Sequence, residues 1–321
     1  MPFVVREVRE ADEPSLLTGL EGRCATRRSA AEWRWYSHAN PAGRRAFVAL
    51  DGERIVGHYA VVPRRVWIAG RESVFGEVVD AFAPRAAPGL ARELPYVRLA
   101  RALAAAHASP GGDLVYYGFP AGAEWRVANG LLDHEVVRDQ MVLVRAVPST
   151  ASAAPSGVVR LERFDHQARW LWDRCCGRFG AGAIRDEAAL NWRLVERPGA
   201  RCEILGVRDA NGVLRGFAAL RAGQLAGRAA AWIVDWLVPP EEPDVGALLL
   251  AAAEGWARGA GRDELCTVLP EWSPWFDALQ RAGFLVVPSG LSLSARCFAR
   301  KFDEVWLREN WWFTLSDVLS V

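Results

Sequence analysis

Apolar and polar positions alternate over residues 3–8, as in a strand, and then recur with a helical period over 12–20, where Asp12 stands as cap. A second helical stretch at 30–36 stops at Asn40-Pro41, because a proline pushes the residue before it out of the helical region. Two apolar runs, 46–50 and 54–62, flank Asp51-Gly52, which is a strong hairpin signal. The pattern then predicts a short strand at 66–68, a turn at Gly70 and a strand at 73–82. A helix at about 96–106, a strand at 114–119, a helix at about 123–130 and a strand at 136–145 follow. Residues 149–157 read Ser-Thr-Ala-Ser-Ala-Ala-Pro-Ser-Gly, the composition of a short flexible linker.

Beyond the linker the pattern starts again. Trp35 precedes Pro41 by six residues, and Trp192 precedes Pro198 by six. Each pair leads into a hairpin in which Gly57 and Gly216 take equivalent places. Val79-Asp80 answers Val234-Asp235, and Phe119-Pro120 with Trp125 answers Leu269-Pro270 with Trp275. Gly130 and Gly283 each read as the helix-to-strand glycine that ends a copy. Matches recurring in this order mark an internal duplication. They predict two copies of one α/β unit, 1–148 and 158–321, joined by 149–157.

Composition narrows the function. The chain of 321 residues is 51% hydrophobic and 24% charged, enough to build two cores. Its 39 basic and 38 acidic residues leave a net charge of +1, so it lacks the basic field of a DNA-binding protein. The six cysteines form no CxxC pair or Cys/His cluster, which argues against zinc or another metal. The adjacent Cys175 and Cys176 read as buried small residues rather than a disulfide. The start of the chain lacks a signal-peptide pattern, and no run approaches the roughly 18 apolar residues of a membrane span. A cytoplasmic protein is expected. The tail from Trp306, with Trp311 and Trp312, is expected to dock on its own domain rather than lie in a membrane interface.

Residues 76–103 read as an apolar strand, a loop of small residues and an Arg-studded amphipathic helix with Pro95 in its first turn. Such a unit presents backbone N–H groups and a positive dipole end to an anion, with Arg85, Arg92, Arg98 and Arg101 adding charge. The stretch, and with it the tandem repeat, resembles the GNAT (acyl-CoA-dependent N-acyltransferase) fold. That family's loop normally carries an Arg-Gly-x-Gly core around the coenzyme A pyrophosphate. Here those places fall on Ala87, Pro88 and Leu90, where proline has no N–H to donate and Ala or Leu blocks close approach.

The resemblance implies an α/β (α+β) protein of two tandem GNAT-like domains, each a mixed, splayed central sheet flanked by helices. It implies acetyl-CoA or another acyl-CoA as donor and a small-molecule amine or amino-sugar as acceptor. The pantetheine arm would lie between the strands at 73–82 and 114–119, along Ala81, Phe82 and Ala83, with Arg85, Gly89 and Arg92 at the phosphates. A strand carboxylate, Glu77 or Asp80, would take the amine proton, and Tyr116 or Tyr117 would protonate the thiolate. Glu77 and Asp80 are three apart and face opposite sides of a regular strand. Asp80 recurs as Asp235, which marks it as structural and leaves Glu77 as the base.

In the second copy Glu241, Glu242 and Asp244 stand where the pyrophosphate would sit, so no coenzyme A is expected there. The alternative reading of that turn is a helix start capped by Asp244. His58 and His134 read as surface or satisfied groups. Trp33, Trp35, Trp125, Trp192, Trp272 and Trp275 read as core and inter-domain packing rather than a cleft for sugars or bases. Two other functions fit the same fold: a non-catalytic tandem pseudo-transferase acting as scaffold or metabolite sensor, and a Fem-type aminoacyltransferase. Near-zero net charge argues against the second.

Overall fold

The computed structural model describes residues 3–21, 29–83, 94–109, 111–148 and 156–319. The first half runs β1 (Val4–Glu7), α1 (Glu13–Glu21), α2 (Ala30–His38), β2 (Arg45–Asp51), β3 (Arg54–Ile68), β4 (Arg71–Phe82), α3 (Leu94–His107), β5 (Asp113–Gly118), α4 (Ala123–Leu132) and β6 (Glu135–Ala146). The second half runs β7 (Val158–Arg160), α5 (Gln167–Cys176), β8 (Ala181–Ala183), α6 (Glu187–Leu190) with a π-helical continuation (Asn191–Val195), β9 (Glu203–Arg208), β10 (Leu214–Leu225), β11 (Arg228–Leu237), α7 (Pro243–Gly259), β12 (Glu264–Thr267), α8 (Pro274–Arg281) and β13 (Leu285–Cys297). The tail adds α9 (Glu304–Asn310) and β14 (Trp311–Trp312). Apart from β8, the halves match element for element. Local chemistry sets the boundaries. At α2, Ser29 Oγ accepts the Glu32 N–H at 3.1 Å and the Glu32 carboxylate accepts the Ser29 N–H, a capping box.

One mixed sheet carries both halves, in the order β1-β2-β3-β4-β5-β13-β6-β12-β11-β10-β9-β7. The pairs β4–β5 and β11–β12 are parallel, and the other neighbours on this path are antiparallel. The last strand of each copy has crossed over. β13 of the second copy pairs with β5 through Ser294↔Gly118, and β6 of the first copy pairs with β12 through Cys266↔Val144. The strand at 136–145, expected to close the first copy, therefore closes the second. Both last strands offer the same alternation to the same kind of open edge, so the pattern along the chain cannot say which fills which.

The two copies meet at their equivalent tryptophans. Trp35 Nε1 donates to the Trp192 carbonyl at 2.8 Å, Trp192 Nε1 donates to the Trp35 carbonyl at 3.1 Å, and the rings stack at 4.9 Å. Both side chains are buried. The largest core cluster spans the halves and includes Phe75, Tyr117, Trp172, Phe217, Trp232 and Trp311. Cys175 and Cys176 are buried and free. The tail is docked: β14 pairs with β8, and Trp311, Trp312 and Phe313 are each at most 2% exposed. Among the described residues no helix is long and apolar enough to cross a membrane, and no cluster of three metal-ligating side chains occurs.

Candidate active site at the strand V

β4 and β5 pair only from Val74↔Asp113 to Glu77↔Tyr117. Beyond that pair they part; β5 carries β13 on its other edge over Val115–Gly118, and, among the described residues, 78–82 of β4 have no strand partner on the β5 side. Ala81 and Phe82 lie on this free length, with Ala83 just past its end. A bulge lies on the same length: the β3–β4 register shifts between His58↔Phe82 and Ala60↔Val79, and Asp80 has φ +49°. The second half repeats the arrangement. β11 and β12 pair from Ala231↔Leu265 to Ile233↔Thr267 and then part, with a register shift opposite Ile233–Asp235. A bulge twists the strand and re-aims its side chains, which is how one sheet comes to be splayed.

Glu77 stands at the apex of the first V and is 5% exposed. Its two carboxylate oxygens accept the Leu319 N–H at 2.7 Å, and Oε2 lies 3.4 Å from Arg64 Nη2. The bulge breaks the strand alternation that separated Glu77 from Asp80. Asp80 turns instead to the α2 side, where its carboxylate accepts the Tyr36 hydroxyl and its carbonyl lies 2.8 Å from His58 Nδ1. The equivalent Asp235 is 1% exposed. It accepts from Arg185 Nε at 3.1 Å and from Thr314 Oγ1 at 3.0 Å, and Arg185 Nη2 lies 3.2 Å from Asp317.

The tyrosines fall on opposite faces. Tyr116 packs under α3 beside Leu99 and Leu103, and its hydroxyl donates to Asp113 at 3.0 Å. Tyr117 belongs to the central core, and its hydroxyl donates to the Asp317 carbonyl at 2.6 Å. Burial pushes both phenols well above their usual range, so each gives up its proton less readily than a free tyrosine. Arg85, Gly89 and Arg92 lie outside the described residues. Arg98 stacks its guanidinium 4.3 Å from the Phe3 ring centre, and Arg101 reaches the Leu131 carbonyl.

The acidic turn of the second half is held by arginines. Glu242 pairs with Arg174 and, at 2.8 Å, with Arg215; Glu241 pairs with Arg178 at 2.8 Å, and Asp244 with Arg215 at 3.3 Å. The helix cap assigned to Asp244 needs correcting. α7 starts at Pro243 with Glu242 at the cap position, and Asp244 sits in the first turn.

Neither histidine singled out in the chain is on the surface: His58 is 1% exposed and His134 4%. Burial pulls the His134 pKa down to about 4, with Arg296 adding to the fall. Burial lowers His58 as well. Unfolded histidine takes up its proton near pH 6.5, before the folded form does, so stability present above pH 6.5 is lost as pH falls toward 4. For His134 the loss is about 3 kcal/mol. Urea unfolding of the wild type is expected to weaken between pH 7 and 4, and His134→Gln to weaken less over the same interval.

No protein-family model and no curated protein matches the chain. Solved structures do. A probable N-acyltransferase of Enterococcus faecalis V583 superposes with a TM-score of 0.65 at 11% identity, over 96% of this chain and 74% of its own. A GCN5-related N-acetyltransferase of Anabaena variabilis gives 0.61 at 11% identity, over 93% and 73%. The N-myristoyltransferase of Saccharomyces cerevisiae, solved with myristoyl-CoA bound, gives 0.56 at 10% identity, over 92% and 83%. The chain thus has the fold of the GNAT N-acyltransferases. The architecture is a mixed α/β one, with a large splayed sheet flanked by helices.

Proposed function

We propose that this protein is an N-acyltransferase that moves an acyl group from acetyl-CoA or a longer acyl-CoA to the amine of a small molecule or amino sugar. The observation that supports this is the apex of the first V: Glu77 and Tyr117 are the last paired residues before β4 and β5 part. In this reading the pantetheine arm pairs with the free backbone at 81–83, and Arg85, Gly89 and Arg92 serve the phosphates. The amine nitrogen attacks the thioester carbonyl, the C–N bond forms, and the C–S bond breaks with its electron pair leaving on sulfur. Glu77 takes the amine proton. Its carboxylate already accepts an N–H at 2.7 Å, the separation a proton transfer requires, and the acceptor amine takes the place of the Leu319 amide there. The buried tyrosines hold the apex in shape. The second reading, a non-catalytic pseudo-transferase, is favoured by Ala87, Pro88 and Leu90 in place of the family's Arg-Gly-x-Gly.

Calorimetry separates the two. Acetyl-CoA or a longer acyl-CoA is expected to bind at about high-micromolar Kd, because charge-assisted arginine contacts replace several loop N–H bonds. Arg85→Ala is expected to weaken that binding. Glu77→Gln is expected to lower transfer by roughly 10²–10⁴-fold while leaving donor affinity unchanged. Absence of acyl-CoA binding at millimolar concentration leaves the pseudo-transferase reading standing.

A further inference from the structure

The register of β3 against β4 breaks at one place in the first V. Between the pairs His58↔Phe82 and Ala60↔Val79, β4 carries two residues, Asp80 and Ala81, where β3 carries one, Tyr59. Asp80 absorbs the excess at φ +49°, a left-handed conformation that residues with a side chain avoid. Something must hold it there.

Two elements do so. His58 Nδ1 lies 2.8 Å from the Asp80 carbonyl. A carbonyl only accepts, so Nδ1 carries the proton and donates. The Asp80 carboxylate accepts the Tyr36 hydroxyl from α2. Both holders are fixed in turn: His58 is 1% exposed and Tyr36 4%. Asp80 is thus tied by its backbone to β3 and by its side chain to α2. The chain leaves it directly into Ala81 and Phe82, on the free length of β4.

The second V is built otherwise. Its bulge carries one extra residue, Val234, between the pairs Ala219↔Asp235 and Leu220↔Ile233. Asp235 lies outside the left-handed region. Phe217 stands opposite Leu237 as His58 stands opposite Phe82, and a phenylalanine has no proton to donate.

We propose that His58 is a positioning residue: together with Tyr36 it pins Asp80 in the left-handed conformation and so aims the free backbone beyond it at the donor. This presupposes the acyl-CoA reading of the first V. His58 acts through Asp80 and takes no part in the chemistry.

Three variants of the full chain test it. His58→Phe gives the first V the ring of the second and removes the donated proton. It is expected to weaken acyl-CoA binding, read by calorimetry, about tenfold. KM is expected to rise by that factor while kcat changes by less than about twofold. His58→Asn keeps a side-chain N–H and is expected to bind within about twofold of the wild type. In the double variant His58→Phe with Asp80→Gly, glycine holds the left-handed conformation unaided, and most of the lost affinity is expected to return. A mere loss of packing at position 58 would not be repaired by a glycine on the next strand. Where the wild type binds acyl-CoA, unchanged affinity in His58→Phe or no recovery in the double variant overturns the assignment. The clamp is also read without a donor. Amide hydrogen exchange over 79–82 is expected to be about tenfold faster in His58→Phe, and in the milder Tyr36→Phe, while 233–237 of the second V keep their rates. Unchanged exchange in both variants overturns the assignment whether or not acyl-CoA binds. Faster exchange with no acyl-CoA binding by the wild type would retire the donor reading and leave the clamp standing.

Discussion

Trp311→Ala is expected to lower the unfolding free energy by about 3–5 kcal/mol, the range for removing a large buried aromatic, and the Tm by roughly 5–10 °C. The indole is 1% exposed and lies edge-on to Phe75 at 5.3 Å, to Tyr117 at 4.9 Å and to Phe313 at 5.2 Å. Its Nε1 has no hydrogen-bond partner among the described residues, so the loss is one of packing. Phe75 and Tyr117 sit on β4 and β5 where these pair, so the cavity opens beneath the apex of the first V. Trp306→Ala is the control. That ring is only partly buried and touches Phe302 at 4.8 Å, so about 1 kcal/mol is expected. Urea unfolding of the two variants checks the contrast. Equal effects would mean that the tail is not anchored through Trp311.

Asp235→Ala is expected to cost a similar 3–5 kcal/mol by a different route. Arg185 is buried, and its ion pairs are with Asp235 and Asp317. Removing Asp235 leaves the guanidinium with one carboxylate, and it takes an acceptor from Thr314 Oγ1 and from the Trp236 N–H. A buried charge that loses one of its two carboxylates is dearer than the lost pair was worth. The repeat-equivalent Asp80→Ala is expected to cost about 1 kcal/mol, since Asp80 is half-buried and its carboxylate meets a tyrosine hydroxyl. Measuring both substitutions tests whether two equivalent positions have parted in role. Equal losses would contradict it.

Much of the fold was legible from periodicity, because strand and helix leave their period in the chain wherever one face is buried. Helix α4, expected at 123–130, runs Ala123–Leu132, and the strand expected at 73–82 runs Arg71–Phe82. The repeat was legible because Trp35, Trp192 and their neighbours do the same physical work in each copy. What was not legible is what depends on a third partner. The crossing of β6 and β13 needs both open edges to be seen at once. The bulge at Asp80 defeats an argument from strand parity. The satisfaction of Glu77 by the Leu319 amide, 242 residues away, leaves no trace in the spacing of either. The indole N–H groups of Trp272 and Trp312, without a partner among the described residues, also escaped, since a count of tryptophans does not say which ones find a carbonyl.

The crossed last strands have one more consequence. Cutting the chain within 149–155 would leave every pairing across the middle of the sheet intact: β13 would still lie on β5, and β6 on β12. Trp35 and Trp192 would still exchange their two hydrogen bonds, each residue meeting the other's counterpart. That is the contact rule of an isologous two-fold interface, in which residue i meets j and j meets i. The molecule therefore has the architecture of a strand-swapped homodimer of a half-length acyltransferase fold written as a single chain. Joining the two copies frees each to change alone. Asp80 accepts a tyrosine hydroxyl where Asp235 accepts from an arginine and a threonine, and the sequences that follow the two differ as well.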